Sequence, residues 1–223
     1  MSPRDSECED GVSPDTAGTA KDVPAAYDRI AEAWRASRTP EARGDFPGRR
    51  FADRLTAPLP PASRVLDVGC GCGMPIAAYL VRHGFQVTGL DASARMIALA
   101  REAVPAAHFV HGDMRTADLE EVFDGLVAWD SVFHLPRTEH GAVFARFRAW
   151  LRPGGRLLVS LGGSAEEGFT SAMFGETFYY SGHEPGTALR QLQQAGFRIE
   201  HWEIDDPASR GHMAVLAVTQ PAP

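Results

Sequence analysis

The run Val65-Leu66-Asp67-Val68-Gly69-Cys70-Gly71-Cys72-Gly73 decides the fold of this chain. Its apolar start predicts a buried strand, and the glycines at 69, 71 and 73 predict a tight turn where that strand ends. Because glycine has no β-carbon, such a turn lets a ligand lie directly against the backbone. We therefore expect a ligand site at the carboxyl end of this strand.

The acidic residue two places before the first glycine limits the kind of ligand. A dinucleotide would bring a pyrophosphate to this turn, and the carboxylate of Asp67 would repel it. The Gly-x-x-Gly spacing of a nicotinamide site is also missing. Asp67 instead suits a ligand that carries a cation, and S-adenosylmethionine (SAM) carries both an ammonium and a sulfonium.

Length and composition favour one soluble enzyme-sized domain. The 223 residues carry a net charge of −7, of which −4 lies in residues 1–22, so a nucleic-acid partner is not expected. Apolar runs are too short to cross a membrane and the start of the chain is polar, which favours the cytoplasm. Three cysteines predict neither a disulfide framework nor a metal site. We expect a small-molecule substrate and a monomer or homodimer.

The rest of the chain alternates between strands and helices. Residues 1–22 are polar and predict a disordered tail; residues 23–60 predict a helical cap or lid, and 61–223 a single core with a substrate loop at 162–184. This alternation predicts a parallel sheet covered by helices, with the last two strands antiparallel. The predicted strands are 64–68, 86–90, 107–111, 124–129, 155–161, 197–204 and 212–219. The predicted helices are 23–37, 48–56, 74–83, 93–103, 138–151 and 185–195.

Two further acids follow predicted strands. Asp91 ends the run Val87-Thr88-Gly89-Leu90-Asp91-Ala92-Ser93, where a carboxylate would accept hydrogen bonds from both ribose hydroxyls. The alternative is that Asp91 or Ser93 caps the next helix. Asp113 follows His111-Gly112 and precedes Met114, which would suit an adenine amino group and ring, although Gly-Asp is also an ordinary turn.

Two more blocks complete the pattern: Trp129-Asp130-Ser131-Val132-Phe133-His134 after a strand, and Leu151-Arg152-Pro153-Gly154-Gly155 before one. The five blocks, in this order, resemble the class I SAM-dependent methyltransferases over residues 23–219. The start Tyr27-Asp28-Arg29-Ile30-Ala31-Glu32-Ala33-Trp34 is similar to the small-molecule branch that includes the ubiquinone-biosynthesis type. The resemblance implies a Rossmann-like α/β fold whose seven-stranded sheet has the order 3-2-1-4-5-7-6, with strand 7 antiparallel.

The resemblance also implies roles for individual residues. Backbone at Gly69, Cys70 and Gly71 would face the methionine part of SAM, and Asp67 would hold its ammonium. Asp91, with Ala92 beside it, would bind the ribose. The adenine would lie against Asp113 and Met114, and Trp129 would lie near the ammonium and the methyl group.

Catalytic and substrate residues are expected at the same sheet edge. His134 is the candidate general base, because its ordinary pKa is near neutral; the alternative is a backbone contact or a cap. Asp130 would orient that histidine or bind substrate, or would merely end the strand. The remaining predicted substrate contacts are Tyr27, Trp34, Arg49, Phe133, Glu176, Tyr179 and Tyr180, with Arg49 as a clamp for an anionic group or simply a surface residue.

We expect methyl transfer from SAM to O, N, S or C of a small organic molecule, with S-adenosylhomocysteine (SAH) as the product. The alternative is a SAM-binding regulatory or scaffold protein without turnover of its own. A nicotinamide oxidoreductase is disfavoured by Asp67. The segment 162–184 is interpreted either as an aromatic substrate wall or as a short hairpin packed on the core.

Overall fold

The computed structural model describes residues 19–38, 46–206 and 212–220. Most of the predicted disordered tail therefore lies outside the described residues. The helices are α1 Val23–Arg38, α2 Arg49–Thr56, α3 Ile76–Arg82, α4 Ala94–Ala103, α5 His140–Trp150 and α6 Pro185–Gln194. The strands are β1 Arg64–Val68, β2 Gln86–Asp91, β3 His108–His111, β4 Phe123–Ala128, β5 Leu151–Gly162, β6 Glu167–Met173, β7 Glu176–Ser181, β8 Phe197–Asp206 and β9 His212–Thr219.

Seven of these strands form one sheet in the order β3-β2-β1-β4-β5-β9-β8, and β6 pairs separately with β7. Strands β1 to β5 are mutually parallel, and β9 runs antiparallel to both of its neighbours. With the hairpin strands left out of the count, the order reads 3-2-1-4-5-7-6. The prediction of a Rossmann-like seven-stranded α/β sheet is confirmed.

The alternating faces of the central strands build a separate core on each side of the sheet. On β1, Val65 belongs to one buried cluster, with Phe51 of α2 and Leu80 of α3, while Leu66 belongs to the other, with Phe144 of α5. Successive side chains of a strand point to opposite faces, so an unbroken apolar run covers both. Asp67 interrupts this run, although it is only 2% exposed.

Helix α1 is fastened on two sides. The Asp28 carboxylate accepts hydrogen bonds from the Ser93 hydroxyl at 2.5 Å and from the Arg95 backbone N–H at 2.9 Å, at the start of α4. On the other side, Arg29 donates two hydrogen bonds of 2.7 Å to the Glu176 carboxylate on β7. These contacts hold α1 across the carboxyl ends of the central strands.

The segment 162–184 contains a two-stranded hairpin. The residues that connect β6 to β7, Phe174 and Gly175, both have positive φ (50° and 84°), as a two-residue type I′ turn requires. Phe178 of β7 is fully buried and packs with Val23 and Ile30 of α1. The hairpin therefore packs against α1, which is close to the second interpretation made from the sequence, a short hairpin packed on the core.

In the described part of the chain, no helix has both the length and the apolar character that a membrane crossing needs.

Candidate functional site

A cavity of about 1130 Å³, including space open to solvent, lies between α1 and the carboxyl ends of β1, β2, β3 and β4. The structure brings thirteen predicted site residues into its lining: Tyr27, Trp34, Asp67, Gly69, Cys70, Gly71, Asp91, Ala92, Asp113, Met114, Trp129, Asp130 and His134. All nine residues predicted to bind the cofactor are in this set. Their individual roles stay predictions.

The glycine turn after β1 is held by β2. Gly69 N–H and Cys70 N–H both donate to the Leu90 carbonyl, at 2.7 and 3.1 Å. Gly69 has φ +74°, and a β-carbon there would lie 2.3 Å from the Cβ of Ser131. Glycine is required at this position both for its backbone angle and for the close approach of the turn after β4.

Asp91 braces the turn as well as facing the cavity. One carboxylate oxygen accepts from Gly71 N–H and the other from Ser93 N–H, each at 2.8 Å. The helix cap itself is Ser93, whose hydroxyl accepts from Met96 N–H at 3.1 Å. Burial raises the pKa of Asp91, and the two N–H donors partly oppose that effect. Each oxygen keeps a lone pair for a ligand.

Asp67 is a buried carboxylate at the cavity wall. Burial raises its pKa to about 7, and the negative charge of Asp91 acts in the same direction, against a hydrogen bond from the Ala77 backbone. A cation bound beside Asp67 would reverse this shift, because an opposite charge favours the ionised carboxyl group. The site therefore fits a ligand that carries an ammonium group.

Asp113 already has a partner. Its two oxygens accept from the Arg115 guanidinium at 2.6 to 3.0 Å. Burial acts to raise the pKa of Asp113, but the hydrogen bonds and charge of Arg115 outweigh it, so the pKa is lowered. An adenine amino group would have to share a carboxylate that Arg115 also holds.

His134 is paired with Tyr27 of α1. Its Nδ1 lies 2.9 Å from the Tyr179 carbonyl oxygen, and its Nε2 lies 3.0 Å from the Tyr27 hydroxyl. A carbonyl only accepts, so Nδ1 carries the proton and Nε2 accepts from Tyr27. Burial lowers the pKa of His134 to about 4, against the Tyr179 hydrogen bond and the charge of Asp130. The imidazole is therefore neutral and weakly basic at pH 7.

Asp130 pairs with a different histidine from the one suggested by the sequence. Its Oδ1 lies 2.8 Å from Nε2 of His212, and Nδ1 of the same ring lies 2.6 Å from Oδ1 of Asp205. His212 and Asp205 come from the last two strands, and neither is among the residues predicted from the sequence. The indole of Trp129 packs on His212, with a ring-centroid distance of 5.2 Å.

Five predicted substrate residues are not among the lining residues of this cavity. The Nε of Arg49 lies 3.1 Å from Oδ1 of Asp53, and its guanidinium lies over the ring of Tyr79, as expected for a residue on the surface of a helix. The Glu176 carboxylate accepts a hydrogen bond from Arg29. Tyr179 contributes its carbonyl to His134. The rings of Phe133 and Tyr180 pack on one another at 5.6 Å. Both rings also pack on the ring of His134, with centroid distances of 4.9 and 4.8 Å.

Comparison with known proteins finds methyltransferases among the similar sequences. Residues 65–155 match the family model described as "Methyltransferase domain". The phosphoethanolamine N-methyltransferase of Triticum aestivum is 32% identical over 158 residues, which are 67% of this chain and 30% of that protein. The chain thus spans less than a third of that relative's length.

Two solved structures share the fold over nearly the whole chain. The 1,6-didemethyltoxoflavin-N1-methyltransferase of Burkholderia thailandensis, with 1,6-didemethyltoxoflavin and SAH bound, is 26% identical with a TM-score of 0.67, covering 98% of this chain and 94% of that one. The [4+2]-cyclase SpnF is 19% identical with a TM-score of 0.71, covering 92% and 98%. The likeness to SpnF concerns the fold alone.

The match of residues 65–155 to a methyltransferase domain and the methyltransferase relatives agree with the resemblance to class I SAM-dependent methyltransferases found in the sequence. The relatives described above do not distinguish the ubiquinone-biosynthesis branch, so that finer assignment stays a prediction.

Proposed function

We propose that this protein binds SAM in the cavity under α1 and transfers its methyl group to O, N, S or C of a small organic molecule. The observation that carries the proposal is the buried Asp67, whose pKa is raised to about 7 at the wall of a cavity bounded by a glycine turn. A carboxylate in that position, with Asp91 beside it, suits the ammonium and ribose of SAM better than a pyrophosphate.

The residues present fit SAM at three points. Asp67 would hold the ammonium, and Asp91 would accept from the ribose hydroxyls through the lone pairs left by Gly71 and Ser93. Met114 would supply an apolar contact to the base. When bound, SAM supplies a methyl group on a sulfonium, which is already a good leaving group, so the protein mainly has to align the acceptor.

The acceptor end of the cavity would lie between Trp129 and Tyr27. Both residues line the cavity, and we expect them to exclude water from the reacting groups. The Tyr27 hydroxyl donates its hydrogen to Nε2 of His134. The hydroxyl oxygen can therefore accept a hydrogen bond from the molecule that is to be methylated. His134 would then serve to orient Tyr27, since a group with a pKa of about 4 is a poor proton acceptor at pH 7.

The remaining expectations belong to the same proposal. We infer a cap of residues 23–60 on a core of 61–223, with 1–22 as a tail, in a cytoplasmic monomer or homodimer. We also infer a place in the small-molecule branch that includes ubiquinone biosynthesis, on the strength of the 27–34 sequence. Neither a nucleic acid nor a membrane is proposed as a partner.

A second candidate is a SAM-binding protein without methyl transfer of its own. It is the alternative that the sequence leaves open, because a site that binds SAM need not also bind a molecule to be methylated. Calorimetric titration with SAM, SAH and NAD⁺ tests the shared part of both candidates. Binding of SAM and SAH but not NAD⁺ is expected, and the reverse would overturn both.

Transfer itself is tested with methyl-labelled SAM. The acceptors are 1,6-didemethyltoxoflavin, phosphoethanolamine and a small-molecule extract of bacterial cells, with mass spectrometry of the products. Label in an organic product is expected from the wild type and from the surface variant Glu203→Gln. At a SAM concentration near the wild-type Kd, Asp91→Ala should give much less label. SAM binding without label in any product would favour the second candidate.

A further inference from the structure

Asp130 is held in an unusual backbone conformation beside the cavity. It follows β4 with φ +53°, in the left-handed region that residues other than glycine rarely adopt. Its N–H donates to the Ser160 hydroxyl of β5 at 2.7 Å, and the same hydroxyl lies 3.3 Å from Oδ1. The neighbouring strand therefore fixes both the backbone and one carboxylate oxygen of Asp130.

His212 fixes the same oxygen from the other side. Its two ring nitrogens lie 2.8 Å from Oδ1 of Asp130 and 2.6 Å from Oδ1 of Asp205. Only a doubly protonated imidazole can donate to both carboxylates. Burial acts to lower the pKa of His212, but the hydrogen bonds and charges of Asp130 and Asp205 raise it to about 9.

One oxygen of Asp130 is left over. Each hydrogen bond that its carboxylate makes with the described residues goes through Oδ1. Asp130 is among the residues that line the cavity and its side chain is 37% exposed, whereas the His212 side chain is 17% exposed and His212 is not among the lining residues. Of the other cavity carboxylates in the described chain, Asp113 is held by Arg115, while Asp67 and Asp91 face the cofactor under the proposed function.

We propose that Asp130 Oδ2 binds an N–H or O–H group of the acceptor molecule, and that His212 and Asp205 are positioning residues that aim it. This inference rests on the proposed function, since it treats Asp67 and Asp91 as occupied by SAM. An acceptor molecule with no N–H or O–H group would displace water from Oδ2 and leave that oxygen without a hydrogen bond. The acceptor atom or its neighbour is therefore an N–H or O–H centre.

The isosteric variant Asp130→Asn gives a sharp test. At a pH where His212 is doubly protonated the ring can only donate, so the new side chain turns its carbonyl oxygen towards His212 and its NH₂ towards the cavity. The group offered to the acceptor then changes from a hydrogen-bond acceptor to a donor without a change of shape. Donor-bearing probes should lose affinity, and probes without a donor should not.

The probes are phenol, aniline and indole, each paired with its methylated form: anisole, N,N-dimethylaniline and N-methylindole. Binding to SAH-loaded protein is measured by ligand-observed NMR. We expect at least one donor probe to bind about tenfold more tightly than its methylated form in the wild type. Asp130→Asn should abolish this difference and Asp205→Asn should reduce it, while His201→Asn on the surface of β8 should leave it unchanged.

The histidine signals give an independent readout that a merely structural role would not move. Nitrogen-15 NMR should show His212 protonated at both ring nitrogens up to about pH 9 in the wild type, and to a lower pH in Asp205→Asn. Equal binding of the paired probes, no binding of any probe, or a neutral His212 at pH 7 would overturn the inference. SAH calorimetry on the same samples separates this outcome from failure of the proposed function.

Discussion

The pH dependence of ligand binding should report directly on Asp67. In the ligand-free protein its pKa is raised to about 7, first by burial and then by the charge of Asp91. An ammonium-bearing ligand needs the ionised form, so binding below pH 7 must release a proton. The bound state then holds fewer protons than the free state, and affinity must rise with pH.

The size of the effect follows from the ionised fraction. For a pKa of about 7, that fraction rises from about 1% at pH 5 to about 50% at pH 7, so the affinity for SAH should rise about 50-fold. This is about 2.3 kcal/mol of binding free energy. Calorimetry at pH 6 in two buffers of different ionisation enthalpy should detect the release of about 0.9 proton per SAH bound.

The isosteric variant Asp67→Asn supplies the control. It should bind SAH more weakly at pH 7, and its affinity should be nearly flat between pH 5 and 7. His134 and His212 do not contribute a titration between pH 5 and 7, because their pKa values are about 4 and about 9. A wild-type affinity that does not change over this range, or an equal slope in Asp67→Asn, would refute the assignment of Asp67 to the ammonium.

Three further outcomes are expected. Asp91→Ala should weaken SAH binding about 10- to 100-fold in calorimetry, as the loss of hydrogen bonds to a charged group implies, and unchanged affinity would contradict a ribose role. Gly69→Ala should lower the melting temperature and weaken SAH binding, because its β-carbon would lie 2.3 Å from that of Ser131; Gly84→Ala, at a similar φ in open space, controls for backbone strain alone. The ring of His134 should stay neutral down to about pH 4 in NMR titration, with stability falling between pH 6.5 and 4 as the unfolded state takes up the proton more readily; protonation near pH 6.5 would show that the ring is not buried as described.

The central sheet could be predicted because its signals are local. The bounds of β1 and β9 equal those predicted, since each is an apolar run between turn residues. Strand β5 begins at Leu151 rather than at 155, because Leu151 pairs with Phe123 of β4 ahead of the Pro-Gly-Gly turn. That pairing depends on contacts between distant segments, and no local pattern predicts it.

The two ends of the cavity differ in the same way. The end proposed for the cofactor is formed by residues at the carboxyl ends of β1, β2 and β3, and parallel strands bring these ends together whatever the details of packing. The end proposed for the acceptor molecule depends on side-chain pairs between segments that are far apart in the sequence. Glu176 pairs with Arg29, 147 positions away, and His212 reaches Asp130 across 82 positions. Neither pairing can be predicted from the sequence without knowledge of the tertiary contacts.

The ties that hold α1 have a thermodynamic consequence. Tyr27 and Trp34 form one wall of the cavity, while Asp28 and Arg29 of the same helix grip α4 and β7. A molecule bound between α1 and the sheet edge raises the free energy needed to separate α1 from α4 and β7. By thermodynamic reciprocity, weakening those contacts lowers the binding free energy of that molecule by an equal amount. Salt screens exposed ion pairs such as Arg29 with Glu176, so the dwell time of a guest in the cavity should shorten as ionic strength rises.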